Sequence, residues 1–380
     1  MRKRSINLYL AILLIAAFIF SLLTIYAFGD HQSHGFSISA RSAALYQPET
    51  DEFLYEKNAN EKLPMASTTK IMTALVASER AELDELVAID DSAIGIEGSS
   101  AYLCRGDVLT MEELLYALLL QSANDAAVAI ACYIGGNVEG FSALMNERAE
   151  SLGLCSTHFT NPHGLDSDEH YTTARELAII AAEALKNDSI KEITSQKSRS
   201  FITEDRTRIY VNHNKLLSMY DGCIGVKTGY TRKSGRCLVS AAERDGLSFV
   251  SVTLDAPSDW SDHKKLLNYG YDCLERLILC SPYENVYTVP VLDGEKNRVT
   301  VANVDTASVI RERHGKNITK SIHLVKFTVA PVSRGDILGE VIYSNNGKEC
   351  ARVDLIATEE IKKENIGLLK RILSIFETKK

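Results

Sequence analysis

Three short strings carry the residue types for one kind of chemistry: Ser67-Thr68-Thr69-Lys70, Ser122-Ala123-Asn124 and Lys227-Thr228-Gly229. A serine and a lysine three residues apart on a helix share a face, so the amine can reach the hydroxyl. Such a pair makes an acyl-accepting serine whose base is a lysine, not a histidine. A protonated amine cannot take the seryl proton, so Lys70 must be held partly neutral. Burial and a second cation such as Lys227 both lower a lysine pKa in that sense. A serine near a helix N-terminus also sets a developing oxyanion beside backbone N–H groups that lack an intrahelical partner.

The other two strings fit the same reaction. Ser122-Ala123-Asn124 stands at a helix junction, where a second hydroxyl and an amide project into a cleft, and the hydroxyl can relay a proton from the base to a leaving amine. Lys227-Thr228-Gly229 ends a run, Ile224-Gly225-Val226, that reads as an edge strand facing the cleft. Its cation and hydroxyl suit a substrate carboxylate, and Gly229 lets a peptide backbone approach closely. Each string alone reads more simply as a helix cap or a turn. Ser261-Asp262-His263-Lys264 also fits Ser-x-x-Lys and reads as a helix start. The order and spacing of the three, roughly fifty residues and then roughly a hundred, separate them from coincidence.

The elements that must position these residues follow from periodicity. Phe36 to Tyr46 and Phe53 to Lys57 read as a hairpin around Gln47-Pro48-Glu49-Thr50-Asp51. A helix is expected from Ser67, where Ile71, Leu75 and Val76 recur at helical spacing, and further helices over Met111 to Leu120, Ala123 to Ile134, Val138 to Leu152 and Thr173 to Leu185. Strands return at Ser200 to Thr203, Arg208 to Val211, Ile224 to Thr228, Arg236 to Ala242 and Ser248 to Leu254. Strands, then helices, then strands imply an α/β core whose sheet is closed by pieces from both ends, with a helical region inserted between them. A composition shift near Cys280 opens a small all-β module of short Val/Ile-rich segments, from Val286 to Ile356.

The ends point to export. Met1-Arg2-Lys3-Arg4 is a basic cap, and no charge follows from Ile6 to Phe28, which reads as a signal peptide or membrane anchor over residues 1–29. The tail places Ile366, Leu369, Ile372, Leu373 and Phe376 on one face, an amphipathic helix suited to a membrane surface. A net charge of -8 with no basic stripe argues against a nucleic-acid partner. The eight cysteines, with no Cys-x-x-Cys among them, read as mostly buried apolar thiols. No motif calls for a metal or another cofactor.

Taken together these strings resemble the serine-type D-Ala-D-Ala carboxypeptidases, the low-molecular-mass penicillin-binding proteins. Asn161-Pro162-His163-Gly164-Leu165-Asp166, His170-Tyr171-Thr172-Thr173-Ala174 and Arg236-Cys237-Leu238-Val239 are similar to that family's local sequence, as are the β module and the tail. The resemblance implies a β-lactamase/transpeptidase-like catalytic domain over residues 30–281, a β-rich domain over 282–360 and a membrane-associating helix over 361–380. It implies removal of the terminal D-alanine from peptidoglycan stem pentapeptides through an acyl-serine intermediate, in cell-wall biosynthesis and the maintenance of cell shape. The place of action would be the outer face of the cytoplasmic membrane, and β-lactam antibiotics would act as covalent inhibitors. Carried over by residue, Ser67 is the nucleophile, Lys70 its base and Ser122 the proton relay. Asn124 contacts a substrate amide, Lys227 and Thr228 hold the carboxylate, and the backbone N–H groups of Ser67 and Tyr230 form the oxyanion hole.

Some relatives carry an arginine shortly before the helix that contains His263, where it helps hold the carboxylate. Here Ser258-Asp259-Trp260-Ser261-Asp262 stands in its place, which leaves open whether Arg236 or Arg232 substitutes. A class A β-lactamase shares the first and third strings but needs a deacylating glutamate, and no Glu-x-x-Leu-Asn follows Ser122. A zinc peptidase built on His163, Asp166, Asp168 and His170 matches no zinc spacing. The nearer alternatives use the same site: an endopeptidase that cuts crosslinks, or a non-catalytic penicillin-binding sensor.

Overall fold

The computed structural model describes residues 36–202, 206–313, 315 and 317–364. The exported leader and most of the amphipathic tail anticipated from the sequence lie outside these. The chain divides into two compact units. The first holds the chain up to Ala242 together with Phe249–Leu267, and the second holds Glu243–Ser248 with the chain from Asn268 onward.

The first unit opens with the hairpin β1 (Ser42–Gln47) and β2 (Glu52–Lys57). The strand expected from Phe36 begins only at Ser42, because the backbone N–H groups of Ser39 and Ala40 are taken by the buried Asp262 carboxylate at 2.8 and 3.0 Å. A single 3-10 turn, Ala66–Thr69, leads into α1 (Lys70–Arg80). The helix expected from Ser67 therefore starts three residues later. In the tighter turn, Thr68 and Thr69 donate their hydroxyls to the carbonyls of Met65 and Ala66, at 2.6 and 2.8 Å. Residues three apart eclipse in 3-10 geometry, which keeps Ser67 and Lys70 on one side.

The short hairpin β3 (Leu86–Ala88) and β4 (Val108–Thr110) precedes the helical block α2 (Met111–Leu119), α3 (Asn124–Gly135), α4 (Val138–Ser151), α5 (Ala174–Ala184) and α6 (Asp188–Ser195). Caps fix several of these starts. Thr110 accepts from Glu113 N, Asn137 from Gly140 N and Thr173 from Glu176 N, each satisfying a donor the helix cannot. Buried alanines on α3, including Ala126, Ala127 and Ala131, let it sit close to its neighbours in the main apolar core. Among the described residues no single helix is long and apolar enough to cross a membrane.

After the hairpin β5 (Ser198–Ile202) and β6 (Thr207–Val211), a one-turn helix α7 (Leu216–Met219) precedes β7 (Cys223–Thr231), β8 (Gly235–Arg244) and β9 (Leu247–Leu254). The sheet order β2-β1-β9-β8-β7 seats β1 against β9 and leaves β7 at an edge. The anticipated α/β core closed from both ends is thus present. Helix α8 (Asp259–Cys273) covers one face of the sheet, where His263 hydrogen-bonds Ser240 and Thr253. Ser261-Asp262-His263-Lys264 lies in its first turns, as a helix start and not as a second catalytic string.

The second unit begins with β10 (Leu274–Cys280), which the composition did not reveal. It continues through β11 (Val286–Leu292), β12 (Arg298–Ala302), β13 (Ala307–Glu312), β14 (Ile318–Leu324), β15 (Thr328–Val329), β16 (Ile337–Asn345) and β17 (Lys348–Ala357). Strand β10 pairs with β13, and the other six form one sheet whose two outer strands are β14 and β15. Only residues 325–327 join those two edges, a reach of about 14 Å at most, so the sheet curls on itself. The cysteines depart from expectation. Only Cys237 and Cys280 are buried, Cys104 and Cys155 are exposed, and all eight are free thiols.

The Asp262 carboxylate, 1% exposed, receives two backbone N–H groups and the Ser39 hydroxyl. Asp262→Ala leaves those donors without a partner and is expected to cost about 3 kcal/mol, read as a lower midpoint of thermal unfolding.

Candidate active site

The 3-10 turn, the α2–α3 junction, the loop 161–170 and the edge strand β7 bring the three strings together. Lys70 is wholly buried. Its Nζ lies 3.0 Å from Ser67 Oγ, 2.7 Å from Asn124 Oδ1 and 2.6 Å from the His163 carbonyl oxygen. The Asn124 amide is oriented unambiguously, because its Nδ2 donates to the Glu97 carbonyl. Burial first, and then the neighbouring Lys227 charge, hold the Lys70 amine well below the usual lysine range, against a smaller pull from Asp125 in the other direction. Lys227 is also buried, and burial lowers it to about 7. Its Nζ donates to the Thr228 carbonyl at 2.9 Å.

Two glycines set the close approaches. A Cβ on Gly229 of β7 would stand 3.0 Å from the Ser67 backbone nitrogen, so the bare strand backbone keeps that N–H reachable. A Cβ on Gly164, whose φ is +88°, would fall 1.9 Å from the Ala66 carbonyl oxygen. The loop around Gly164 therefore backs directly onto the residue before Ser67. That loop is fixed by Asn161, whose Oδ1 accepts from Gly164 N at 2.7 Å, and by Thr73, which donates to the Pro162 carbonyl at 2.6 Å.

Behind the turn stands His170, 3% exposed. Its Nδ1 accepts from Thr160 N at 3.0 Å, so the proton sits on Nε2, which meets Thr69 Oγ1 at 2.8 Å. Thr69 in turn donates to Ala66 O, completing a chain that holds the backbone on either side of Ser67. Burial keeps His170 neutral, lowering it to about 4. Neither this chain nor the His163 carbonyl was anticipated. The Asn-Pro-His-Gly string was visible, but a carbonyl acceptor leaves no side-chain signature in a sequence.

Ser122 is 5% exposed with φ +62°, in the turn between α2 and α3. Asp125, one residue past Asn124, anchors that turn by accepting from the backbone of Ala101 and Leu103 and from the Ser100 hydroxyl. Thr228 is half-buried and Tyr230 is 66% exposed on the edge strand. Of the two arginines considered for the carboxylate, Arg236 is held by Asp259 through paired contacts of 3.0 Å, while Arg232 is exposed. The four residues weighed as zinc ligands are engaged elsewhere: Asp166 accepts from Thr231, Asp168 pairs with Lys233, His163 accepts from Leu165 N and His170 bridges Thr160 and Thr69. Among the described residues no group of three or more His, Cys, Asp or Glu side chains is arranged to hold a metal ion.

The chain matches the family Peptidase S11, D-alanyl-D-alanine carboxypeptidase, over residues 28–258, and the penicillin-binding protein 5 C-terminal domain over residues 281–363. It is 32% identical over 347 residues to the D-alanyl-D-alanine carboxypeptidase DacF of Bacillus subtilis (strain 168), covering 88% of this chain and 89% of that one. It is 33% identical over 353 residues to DacC of Escherichia coli (strain K12), covering 88% and 87%. Among solved structures, penicillin binding protein 5 from Haemophilus influenzae superposes with a TM-score of 0.63 at 27% identity, over 87% of this chain and all of that one. The Streptomyces K15 DD-transpeptidase superposes with a TM-score of 0.60 at 34% identity, over 63% of this chain and 99% of that one. A match across more than half of the sequence, with relatives above 30% identity along most of it, makes the chain a member of the D-alanyl-D-alanine carboxypeptidase family S11.

Proposed function

We propose that this protein is a serine D-alanyl-D-alanine carboxypeptidase that removes the terminal D-alanine from peptidoglycan stem pentapeptides and is acylated by penicillin. The observation that carries the residue roles is the set of oxygens around Lys70 Nζ. Two of them, Asn124 Oδ1 and His163 O, can only accept. A neutral amine has two N–H donors and one lone pair. Both donors are spent on those two oxygens, which turns the lone pair toward Ser67 Oγ–H. Asn124 thus has a part beyond contact with a substrate amide, since it orients the base.

In this reading Ser67 Oγ bonds to the carbonyl carbon of the penultimate D-alanine as Lys70 takes its proton. The backbone N–H groups of Ser67 and Tyr230 receive the oxyanion. The amide C–N bond then breaks, and the departing amine leaves with a proton passed through Ser122. Lys227 and Thr228 hold the free carboxylate. Water next attacks the seryl ester, releasing the shortened peptide and restoring Ser67. A β-lactam follows the first half of this path, but its leaving nitrogen stays tethered, so the acyl-serine persists.

In this reading the catalytic domain takes residues 30–281, the β-rich domain 282–360 and the amphipathic segment 361–380. The basic start and uncharged run before Phe28, with the apolar face of the tail, support action at the outer face of the cytoplasmic membrane. A purely sensory penicillin binder is disfavoured, because Ser67, Lys70, Ser122, Lys227 and Thr228 are all present.

Ser67→Ala is expected to abolish the penicilloyl adduct seen by mass spectrometry and D-alanine release from diacetyl-L-Lys-D-Ala-D-Ala, with thermal unfolding unchanged; an adduct that persists elsewhere overturns the assignment. Because the Lys70 pKa is lowered, its neutral fraction, and with it the acylation rate, should rise with pH through that lowered pKa and then level off. Stopped-flow acylation by benzylpenicillin reads this directly. Lys70→Arg, which stays protonated, should lower the rate by about 10²–10⁴-fold.

A further inference from the structure

The loop 161–170 carries a side chain that the acyl transfer does not use. His163 gives its carbonyl oxygen to Lys70, which leaves its imidazole free of that duty. The ring Nδ1 accepts from Leu165 N at 3.1 Å, so the ring proton sits on Nε2. Burial first, then the Lys70 charge and then His170, lowers the ring to about 3 and keeps it neutral. A neutral imidazole whose one free lone pair is engaged can donate from Nε2 but cannot serve as a base. Among the described residues that N–H meets no acceptor, and His163 is only partly buried, with Nε2 not sealed from solvent. A donor in that position takes water.

Short contacts fix where this donor stands. The His163 carbonyl oxygen lies 2.6 Å from Lys70 Nζ, and Nζ lies 3.0 Å from Ser67 Oγ. A Cβ on the next residue, Gly164, would fall 1.9 Å from the Ala66 carbonyl oxygen, so the loop has no room to draw nearer to the residue before Ser67. Asn161 Oδ1 accepts from His163 N at 3.3 Å and from Gly164 N at 2.7 Å, which holds the turn still. The imidazole is thus carried on a fixed turn beside both the base and the nucleophile. The direction of approach matters as well. Asn124 reaches the Lys70 amine from the α2–α3 junction, which also holds Ser122, whereas His163 reaches it from the loop 161–170. In the reading above, the leaving amine departs by way of Ser122.

Once Ser67 is esterified, its Oγ has no proton to offer. Lys70 Nζ still spends two N–H donors on Asn124 Oδ1 and His163 O, so its lone pair is left for another O–H. We infer that the Nε2–H of His163 holds the water that hydrolyses the acyl-serine, with Lys70 as the base for that water. The water oxygen accepts from Nε2–H through one lone pair and bonds to the acyl carbon through the other, while one of its protons passes to Lys70 Nζ. The C–Oγ bond then breaks, and Ser67 Oγ takes that proton back from Nζ. An amine that attacks the same acyl carbon does not need this arrangement, since its attack is the departure of D-alanine run backwards and uses Ser122. His163 therefore biases the acyl-serine toward hydrolysis and away from transfer to an amine. The inference rests on the proposed acyl-serine chemistry, and its test separates the two.

The full-length protein is compared with His163→Leu, which fills the space of the ring without a donor, and with His163→Gln, which returns an N–H at similar reach. Both keep the backbone carbonyl that Lys70 uses. The probes are benzylpenicillin, for formation and release of the penicilloyl group, and diacetyl-L-Lys-D-Ala-D-lactate with and without glycine as the amine acceptor. The Leu variant is expected to release the penicilloyl group about ten- to hundredfold more slowly than the wild type, a larger loss than in its acylation rate. Its product from the depsipeptide should shift from hydrolysed peptide toward the glycine adduct, and the Gln variant should return both readouts toward wild type. A loosened loop would instead slow acylation and both fates together, because Lys70 depends on the same loop. The assignment is overturned by that pattern, by wild-type hydrolysis in the Leu variant, or by a Gln variant as slow as Leu. A crystal structure of the wild-type penicilloyl enzyme needs no variant: a water within hydrogen-bond distance of both His163 Nε2 and Lys70 Nζ is expected, and a His163 Nε2 without one overturns the assignment equally. If the wild type forms no penicilloyl adduct and releases no D-lactate, the acyl-serine reading itself falls, and the role of His163 with it.

Discussion

The structure depends on keeping an amine out of water. An ammonium carried into a protein interior loses its hydration, and the interior must either supply a counter-charge or let the proton go. Around Lys70 it supplies neutral oxygens and a neighbouring cation, with Asp125 the one opposing charge. That choice favours the neutral form. Three separate elements of the first unit contribute to it. The first residue of α3, Asn124, provides an amide oxygen, the loop 161–170 provides a carbonyl, and the edge strand delivers Lys227.

Neutral groups recur in the support of the site. The His170–Thr69–Ala66 chain uses a histidine in its uncharged form, and burial lowers His163 to about 3. Charge is placed farther out, in the Asp168–Lys233 and Arg236–Asp259 pairs. In the proposed mechanism, such largely neutral support suits a base that must change protonation state during each cycle.

The local strings Ser67–Lys70, Ser122–Asn124 and Lys227–Gly229 were legible because their chemistry depends on side-chain type and short spacing. The helical block was legible for the same reason, through its apolar period. What escaped was set by partners distant in sequence. Strand β10 exists because β13 pairs with it, and nothing within Leu274–Cys280 announces that. The start of β1 moved to Ser42 because a carboxylate more than two hundred residues away took the preceding N–H groups. Cysteine exposure followed tertiary position, so composition misjudged it. The 3-10 turn at Ser67 arose from two threonine hydroxyls returning to the backbone, a competition that propensity does not rank.

The order β2-β1-β9-β8-β7 also bears on how the chain matures. Ser42 pairs with Leu254, so the sheet joins the first strand to one about two hundred residues later, an arrangement of high contact order that closes late. Ser67 and Lys70 emerge early from any biosynthetic machinery, but Lys227 and the bare backbone at Gly229 arrive only with β7. A nascent chain that ends before β7 thus carries the serine and its lysine without the cation and the strand that, in the proposed mechanism, complete the site. Assembly of the sheet therefore acts as a built-in delay: in the proposed mechanism Ser67 gains its full surroundings only once the strands from β7 to β9 have been made.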